Sequence, residues 1–398
     1  MLKASKAKIA NMRILQVIPV FTATFGGPVT VVRSISKELA KRHEVTVYTT
    51  SALDQKRDFE DLPVEVKVDG YNVFYFPRII QFSGFNFSQT MVKMLKETID
   101  EYDVVHLHSW RHFQDIIVHH YAKKYRIPYI LQAHGSLQRI IAKRRLKWIY
   151  DVLFGYGLLW DAAKVIALSS VEAKQYKSMG VLDEKIAIIP NGIDLTEYAN
   201  LPPKGSFKRK FGIPEEKKMV LYLGRIHRSK GIGFLIKAYA YLTNKMGVKD
   251  AVLVIAGPDD GYLNEAMSLV HCLDISNSVL FTGFISSDDK LAALVDTDVF
   301  VTPSFYGFPI TFLEACAVGT PIVTTSLGDY LEWIDGKVGY VTKPSINDFA
   351  EKTYKIITIE EVQKNMSRNC LNLAKEFSIE KLVCKLERVY KEALNRQD

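Results

Sequence analysis

The chain has 398 residues, 48% of them hydrophobic and 24% charged, and carries a net charge of +8. That length is too great for one hydrophobic core and predicts two domains; the composition excludes disordered, collagen-like and membrane-embedded classes, and no apolar run approaches the roughly 18 residues of a membrane span. The excess of cations calls for an anionic partner, whether phosphate-bearing substrate, acidic lipid or nucleic acid.

In chain order, residues 1–11 read as a loose extension and 14–18 as a first buried strand. Lysines precede this apolar run, as in a short signal peptide. Gly26-Gly27-Pro28 and a helix with Val31, Val32, Ile35 and Leu39 at helical spacing follow directly, however, as in a βα unit. Further strands are expected at 44–49, 72–76, 104–107, 129–132 and 164–168. A second series starts at 219–223 and continues at 251–256, 279–282, 299–302 and 322–324. This alternation predicts an α/β fold of two Rossmann-like, doubly wound domains that bind ligands outside the carboxyl ends of their strands and face each other across a cleft. The polar stretch 202–210 marks a linker or domain boundary, and the domains are expected at 1–196 and 197–376, with a last helix within 377–398. Cys272, Cys316, Cys370 and Cys384 form no Cys-x-x-Cys pair and read as small apolar fillers in a reducing compartment, not as disulfides or a metal site.

The chemistry-bearing stretches are few. Gly26-Gly27-Pro28 would let backbone N–H groups approach a phosphate at a helix N-terminus, although a plain tight turn has the same pattern. Gly224-Arg225-Ile226-His227-Arg228-Ser229-Lys230-Gly231 sets cations at the start of a helix expected over 231–242, where the macrodipole disfavours them. A diphosphate between Arg225 and Lys230 would resolve that conflict. Within 303–321, a strand end, a Gly/Pro turn and an apolar helix over 310–318 carry one carboxylate, Glu314, expected in the first helical turn. A lone acid there is costly unless something polar meets it, and its two oxygens suit the vicinal hydroxyls of a ribose; dipole complementarity alone is the other reading. Asp296-Thr297-Asp298 has the Asp-x-Asp spacing of metal-dependent transferases but precedes a buried strand and reads as a helix-ending turn, so no metal site is assigned. Asp259-Asp260-Gly261 reads as turn chemistry. His106 and His108 share a strand, and only one of them is expected to face the cleft.

Gly224-Arg225-x5-Gly231 with Lys230, Ile189-Pro190-Asn191-Gly192-Ile193-Asp194, Gly307-Phe308-Pro309 with Leu313-Glu314-Ala315, Val105-His106-Leu107-His108 and Ala133-His134-Gly135 together resemble the retaining GT-B glycosyltransferases of family 4, over about residues 12–339. The resemblance implies roles. Gly26 and Gly27 would face the donor phosphates or the bound acceptor. Arg225 and Lys230 would hold the diphosphate, Glu314 the ribose, and His134 would sit beneath the transferred sugar. Gly283-Phe284-Ile285 would contact the base largely through backbone. Phe308-Pro309-Ile310-Thr311 would offer N–H groups to sugar and phosphate, except at Pro309, which has none. The chain departs from the family in one place: where the paired-glutamate pattern has its first acid, this sequence has Tyr306, which can keep a hydrogen bond but not the charge.

The implied activity is retaining, metal-independent transfer of a hexosyl unit from a UDP- or GDP-linked sugar, without a cofactor, to a glycan or lipid-linked saccharide in surface polysaccharide or glycolipid biosynthesis. Two alternatives stay open: a nucleotide-sugar epimerase of the same fold, and a catalytically weak nucleotide-sugar-binding protein. The basic, aromatic region 139–150 is either a docking surface for an anionic membrane or an ordinary solvated helix. A nucleic-acid partner is not expected, because no recognised motif accompanies the charge. The expected location is the cytoplasm, with peripheral attachment to the inner face of the cell membrane as an option.

Overall fold

The computed structural model describes residues 11–22, 26–52, 64–82, 85–139, 144–305, 307–328 and 331–395. The chain forms two compact units, Met1–Gly192 with Ile379–Asp398, and Ile193–Ser378.

The first unit holds β1 (Arg13–Val20), β2 (Glu44–Thr50), β3 (Glu65–Val68), β4 (Tyr71–Phe76), β5 (Ile80–Phe82), β6 (Phe85–Phe87), β7 (Val104–Leu107), β8 (Tyr129–Gln132), β9 (Lys164–Ala167) and β10 (Ile186–Ile188). Eight of these form one sheet in the order β10-β9-β8-β7-β1-β2-β4-β3, parallel except at the β3–β4 edge, while β5 and β6 pair separately. Every residue of β1 after Arg13 is buried, as expected of a central parallel strand covered on both faces. The helix Gly27–Leu39 covers one face through Val29, Val31, Val32, Ile35 and Leu39. On the same side lies the helix Ile379–Asn395, whose buried Ile379, Leu382, Val383, Leu386, Val389, Tyr390 and Ala393 recur every three or four residues and join the core of β1. Ion pairs at its rim link Glu387 to Arg42 at 3.0 Å and Glu392 to Lys164 at 2.6 Å.

The second unit is a six-stranded, wholly parallel sheet of β11 (Lys218–Leu223), β12 (Ala251–Ala256), β13 (Val279–Gly283), β14 (Val299–Phe305), β15 (Ile322–Gly328) and β16 (Gly339–Thr342). Its order is β13-β12-β11-β14-β15-β16, so the direction of winding reverses between β11 and β14, the place where sheets of this kind bind ligands. The two units are thus Rossmann-like halves.

Two expectations change. The stretch 202–210 is no free linker. It lies inside the second unit, where Ser206–Lys210 forms a short helix, Phe207 is buried, and the Lys208 ammonium donates to the carbonyls of Glu215 and Lys217 at 3.0 and 2.7 Å. The chain instead passes between units at Gly192 and Ile193. There a Cβ on residue 192 would come within 3.1 Å of the Ile379 backbone, which is why glycine occupies the close approach. Ile193 N–H donates to the Phe377 carbonyl at 2.9 Å, so the outgoing and returning segments run side by side. Of the cysteines, Cys316 and Cys370 are buried as expected, whereas Cys272 and Cys384 are exposed.

The loops leaving β11 and β12 touch backbone to backbone. A Cβ on Gly257, which has φ 149°, would lie 2.0 Å from the Gly224 carbonyl oxygen. No side-chain rearrangement can relieve that overlap. Gly257→Ala is therefore expected to cost at least about 2 kcal/mol, seen as a lower midpoint in urea denaturation with nucleotide absent.

Candidate functional site

Most candidates in the second unit lie just past the carboxyl ends of β11, β13 and β14. After β11 comes a 3₁₀ turn, Arg228–Lys230, and Gly231 then caps the helix Ile232–Asn244. Lys230 thus belongs to the turn before the helix, and this turn packs against the end of β14. The four cationic candidates are not equivalent. Arg225 Nη1 donates to Asp260 Oδ2 at 2.7 Å, Arg228 Nη2 reaches Glu265 Oε1 at 3.4 Å, and His227 Nδ1 accepts from Ser229 N–H at 3.1 Å. The Lys230 ammonium has neither ion pair nor hydrogen bond among the described residues, and burial, aided by Arg225, lowers its pKa. It is the one cation of the loop left without a counter-charge. Asp259 does serve the turn, accepting from the N–H groups of Gly261, Tyr262 and Leu263, whereas Asp260 holds Arg225.

Glu314 is in the second turn of its helix, not the first, because the helix spans Ile310–Ala317 behind Pro309. Dipole complementarity at the N-terminus therefore does not account for it. The carboxylate is buried; Oε1 accepts from Lys290 Nζ at 2.7 Å, and Oε2 has no hydrogen-bond partner among the described residues. Lys290 comes from the helix Ser287–Asp296, which follows the Gly283-Phe284-Ile285 loop. Nothing in the sequence pointed to Lys290, since a pairing between two helices has no fixed spacing. Tyr198 is a second neighbour missed: burial and the Glu314 charge raise its pKa, so its hydroxyl stays protonated and able to donate.

Around this pair, Gly283 ends β13 and its carbonyl accepts from Gly257 N–H at 2.9 Å. Phe284 is 71% exposed and Ile285 half-buried. Phe308 is buried among Trp333 and Phe377, with ring centroids 5.6 and 5.7 Å away, so its ring is committed to packing. Ile310 and Thr311 supply first-turn N–H groups beyond Pro309. Tyr306 lies outside the described residues. The Asp-x-Asp pair is structural: Asp296 accepts from Gly205 and Lys208 N–H, and Asp298 from Met219 N–H at 2.8 Å. Among the described residues no cluster of His, Cys, Asp and Glu could hold a metal ion.

In the first unit, Gly26 has φ 75° and caps the helix Gly27–Leu39, with Pro28 in the first turn. His134 lies in the turn Ala133–Ser136, where Ser136 N–H returns to the Ala133 carbonyl at 3.1 Å. Its φ of 51° and the 77° of Gly135 are those of a turn with two left-handed central residues. Such a backbone is uncommon for histidine and has to be held by its surroundings. The holding group is Glu172, fully buried, whose Oε1 accepts from Gly135 N–H and Oε2 from Leu168 N–H, both at 2.7 Å. Ser169-x-x-Glu172 has the spacing of a helix capping box, the signal by which the sequence could have disclosed it.

His106 and His108 do not face opposite ways. Residues two apart on a strand share a side, and the two rings have centroids 3.9 Å apart. They belong to a buried chain of hydrogen bonds that includes His134. His108 Nε2 faces the Gln16 carbonyl oxygen, an acceptor, so that nitrogen carries the proton. Burial keeps His108 neutral, and its Nδ1 therefore accepts from His134 Nε2–H at 3.1 Å. Gln16 Nε2 donates to the Tyr390 hydroxyl at 3.2 Å, leaving that hydroxyl to donate to His106 Nδ1 at 2.8 Å. These tautomers hold with Gln16 oriented as described, its Oε1 toward His108. His134 is so left with Nδ1 as its free lone pair.

Burial also lowers the His134 pKa to about 4. The unfolded chain, near the ordinary value of 6.5, takes up a proton more readily, so this contribution to stability is complete above pH 6.5 and disappears as pH falls to about 4. Acidification across that window is expected to cost on the order of 1–3 kcal/mol, and the pH slope of stability should flatten in His134→Asn. An unchanged slope would contradict this assignment.

Two α/β units, each with candidate side chains at strand ends and one with its anion-ready groups beside the winding reversal, define a protein of the Rossmann-like, doubly wound class. The family models for Glycosyltransferase Family 4 and for Glycosyl transferases group 1 match residues 25–197 and 203–372. A glycosyltransferase of Methanocaldococcus jannaschii is 31% identical over 74% of this chain and 75% of its own. The alpha-monoglucosyldiacylglycerol synthase of Streptococcus pneumoniae is 28% identical, over 77% of this chain and 70% of its own. The UDP-Gal:alpha-D-GlcNAc-diphosphoundecaprenol alpha-1,3-galactosyltransferase of Escherichia coli is 26% identical, over 76% and 78%. Among solved structures, Anabaena HepE in complex with UDP and glucose superposes with a TM-score of 0.76 at 18% identity, covering 95% of this chain and 98% of that one. The chain is a glycosyltransferase of the group 1, family 4 class, with the GT-B fold.

Proposed function

We propose that the protein transfers a hexosyl unit, with retention and without a metal, from a UDP- or GDP-linked sugar to a glycan or lipid-linked saccharide, at the inner face of the cell membrane, in surface polysaccharide or glycolipid biosynthesis. The observation that carries the donor reading is Glu314: one carboxylate oxygen is fixed by Lys290 and the other is buried with no hydrogen-bond partner among the described residues, as a ribose-hydroxyl acceptor would be. HepE supports it as a neighbour that holds UDP and glucose. The acceptor reading rests on relatives whose names give a diacylglycerol lipid and a diphosphoundecaprenol saccharide. Among the described residues no helix is long and apolar enough to cross a membrane, so attachment would be peripheral.

In this reading Lys230 and Arg225 bind the diphosphate and offset the charge that develops as the anomeric carbon–oxygen bond breaks. The acceptor oxygen forms its bond to the same face, and its proton passes to the departing diphosphate oxygen. Gly26, Gly27, Ile310 and Thr311 offer backbone N–H groups, Gly283-Phe284-Ile285 meets the base, and His134 presents a neutral imidazole to the sugar. The turn of Phe308 and Pro309 shapes the sugar pocket, and Tyr306 takes the place of the missing acid. Catalysis is then mainly preorganised electrostatics.

A panel of UDP-, GDP-, ADP- and dTDP-sugars tests the reading. One or two UDP- or GDP-sugars should raise the melting temperature and be slowly hydrolysed, because stabilisation grows with ligand over its dissociation constant. An altered sugar appearing without any acceptor would instead indicate epimerisation, and binding with neither transfer nor hydrolysis a binding protein.

A further inference from the structure

The first unit carries a second feature that the donor chemistry does not use. A cavity of about 690 Å³ is lined by Arg139, Arg144, Arg145, Trp148, Tyr156 and Gln175, among others. That volume is typical of a small-molecule site and larger than a lone phosphate needs. Its arginines are in different states. Arg139 is committed, its Nε donating to the buried Asp151 at 2.8 Å and its Nη2 to the Tyr156 hydroxyl at 3.0 Å. Arg111 closes on the same aspartate at 2.8 Å, so Asp151 is already shared by two guanidinium groups. Arg144 and Arg145 are exposed and have no carboxylate partner among the described residues. On the same wall, Gln175 Oε1 is buried without a hydrogen-bond partner among the described residues. With the amide oriented as described this atom is an acceptor, which a hydroxyl can satisfy and an ionised phosphate cannot.

Beside the cavity the chain turns apolar. The helix Arg144–Tyr150 continues through a π turn, Asp151–Gly155, into the helix Tyr156–Asp161. Along it Leu146, Trp148, Ile149, Val152, Leu153 and Phe154 are between 41% and 66% exposed. Scattered exposed apolar side chains are ordinary, but six within nine consecutive positions form a patch that wants a cover. Anion-ready guanidinium groups, an unfilled hydroxyl acceptor and an apolar strip together fit an amphiphile with a phosphorylated sugar head and a hydrocarbon tail.

We propose that this cavity binds the acceptor as a membrane-resident lipid diphosphate bearing a saccharide: Arg144 and Arg145 take the diphosphate, Gln175 Oε1 accepts from a hydroxyl of the adjoining sugar, and the 146–154 strip enters the hydrocarbon boundary. The proposal rests on the lipid-linked acceptor reading above and specifies where and how its head group is held. Aromatic and basic side chains at a bilayer surface suit such seating.

Vesicle co-sedimentation of the full chain tests it, using phosphatidylcholine vesicles doped with a long-chain polyprenyl diphosphate, or with phosphatidylglycerol to equal surface charge, and inorganic pyrophosphate as a soluble competitor. The expected result is binding to the polyprenyl diphosphate vesicles at least tenfold tighter than to phosphatidylglycerol vesicles, weakly competed by pyrophosphate. Arg144→Gln/Arg145→Gln should weaken it about tenfold or more, the loss of charge-assisted hydrogen bonds. Leu153→Ser/Phe154→Ser should weaken vesicle binding while leaving the weak pyrophosphate affinity intact. Equal binding to both vesicle types would reduce the feature to a charged membrane surface and overturn the pocket. Pyrophosphate competing as strongly as the lipid would replace the lipid by a soluble phosphate, and no binding to any probe would overturn the proposal outright. The nucleotide-sugar melting shift, read on the same preparations, reports the donor site separately. If it persists while the vesicle result fails, only the acceptor pocket falls; if it is absent, the reading beneath it falls.

Discussion

Lys230→Ala is expected to lower turnover on the preferred nucleotide sugar by about 10²-fold or more, the usual effect of removing one preorganised group from a charge-stabilising site. The reason is its isolation. Asp260 already neutralises Arg225, so an entering diphosphate gains less from the arginine than from an ammonium with no competing carboxylate. Removing Lys230 also relieves a desolvated charge, so the folded protein should be no less stable, and the loss would be in chemistry. Arg225→Ala is expected to fall short of this effect, because it frees Asp260 as well as removing a cation. Steady-state kinetics with melting temperatures as controls checks both, and near-normal turnover of Lys230→Ala would remove the lysine from the site.

Glu314→Gln is expected to weaken nucleotide binding about tenfold or more by calorimetry, since hydrogen bonds to a charged acceptor are worth about 1.5–3 kcal/mol. The diagnostic is selectivity. The native protein should prefer a ribonucleotide to its 2′,3′-dideoxy counterpart, and the variant should lose that preference while keeping whatever affinity the diphosphate supplies. Glutamine keeps the volume, and Lys290 is far enough into solvent to tolerate losing its partner. A variant that still discriminates the ribose hydroxyls would show that Oε2 meets something else.

Strand positions were legible from apolar runs: β7, β8 and β12 lie where the sequence placed them, and β14 and β15 only run further. β3 and β10 escaped because each is short: Glu65–Val68 alternates over only four residues and Ile186–Ile188 is an apolar run of three, too little to separate a strand from a loop. Glu314 and Lys230 could be singled out because each breaks a local rule, an acid on an apolar helix and a cation near a helix start, whereas His134 was marked only by the family resemblance. What holds them was not legible. Lys290, Glu172 and Tyr390 meet their partners from other helices, and Tyr390 joins the His106–His108 pair from 284 residues beyond His106. The pairing of His106 with His108 was legible in principle, from the two-residue period of a strand. The basic region reads differently once folded: only Arg144–Tyr150 of 139–150 is described as helix, and its interest lies as much in the exposed apolar residues that follow as in the charge.

The chain leaves its first unit at Gly192 and returns at Ile379, with Ile193 hydrogen-bonded to Phe377 at the crossing. The second unit is therefore one uninterrupted insert whose two ends emerge together. Recombination could exchange that whole unit through a single pair of adjacent junctions, keeping the first unit and its C-terminal helix intact. Under the proposed function, donor and acceptor preference would then be inherited as separate cassettes, and the joint itself, where a Cβ on Gly192 would crowd Ile379, would be the part such exchanges must keep.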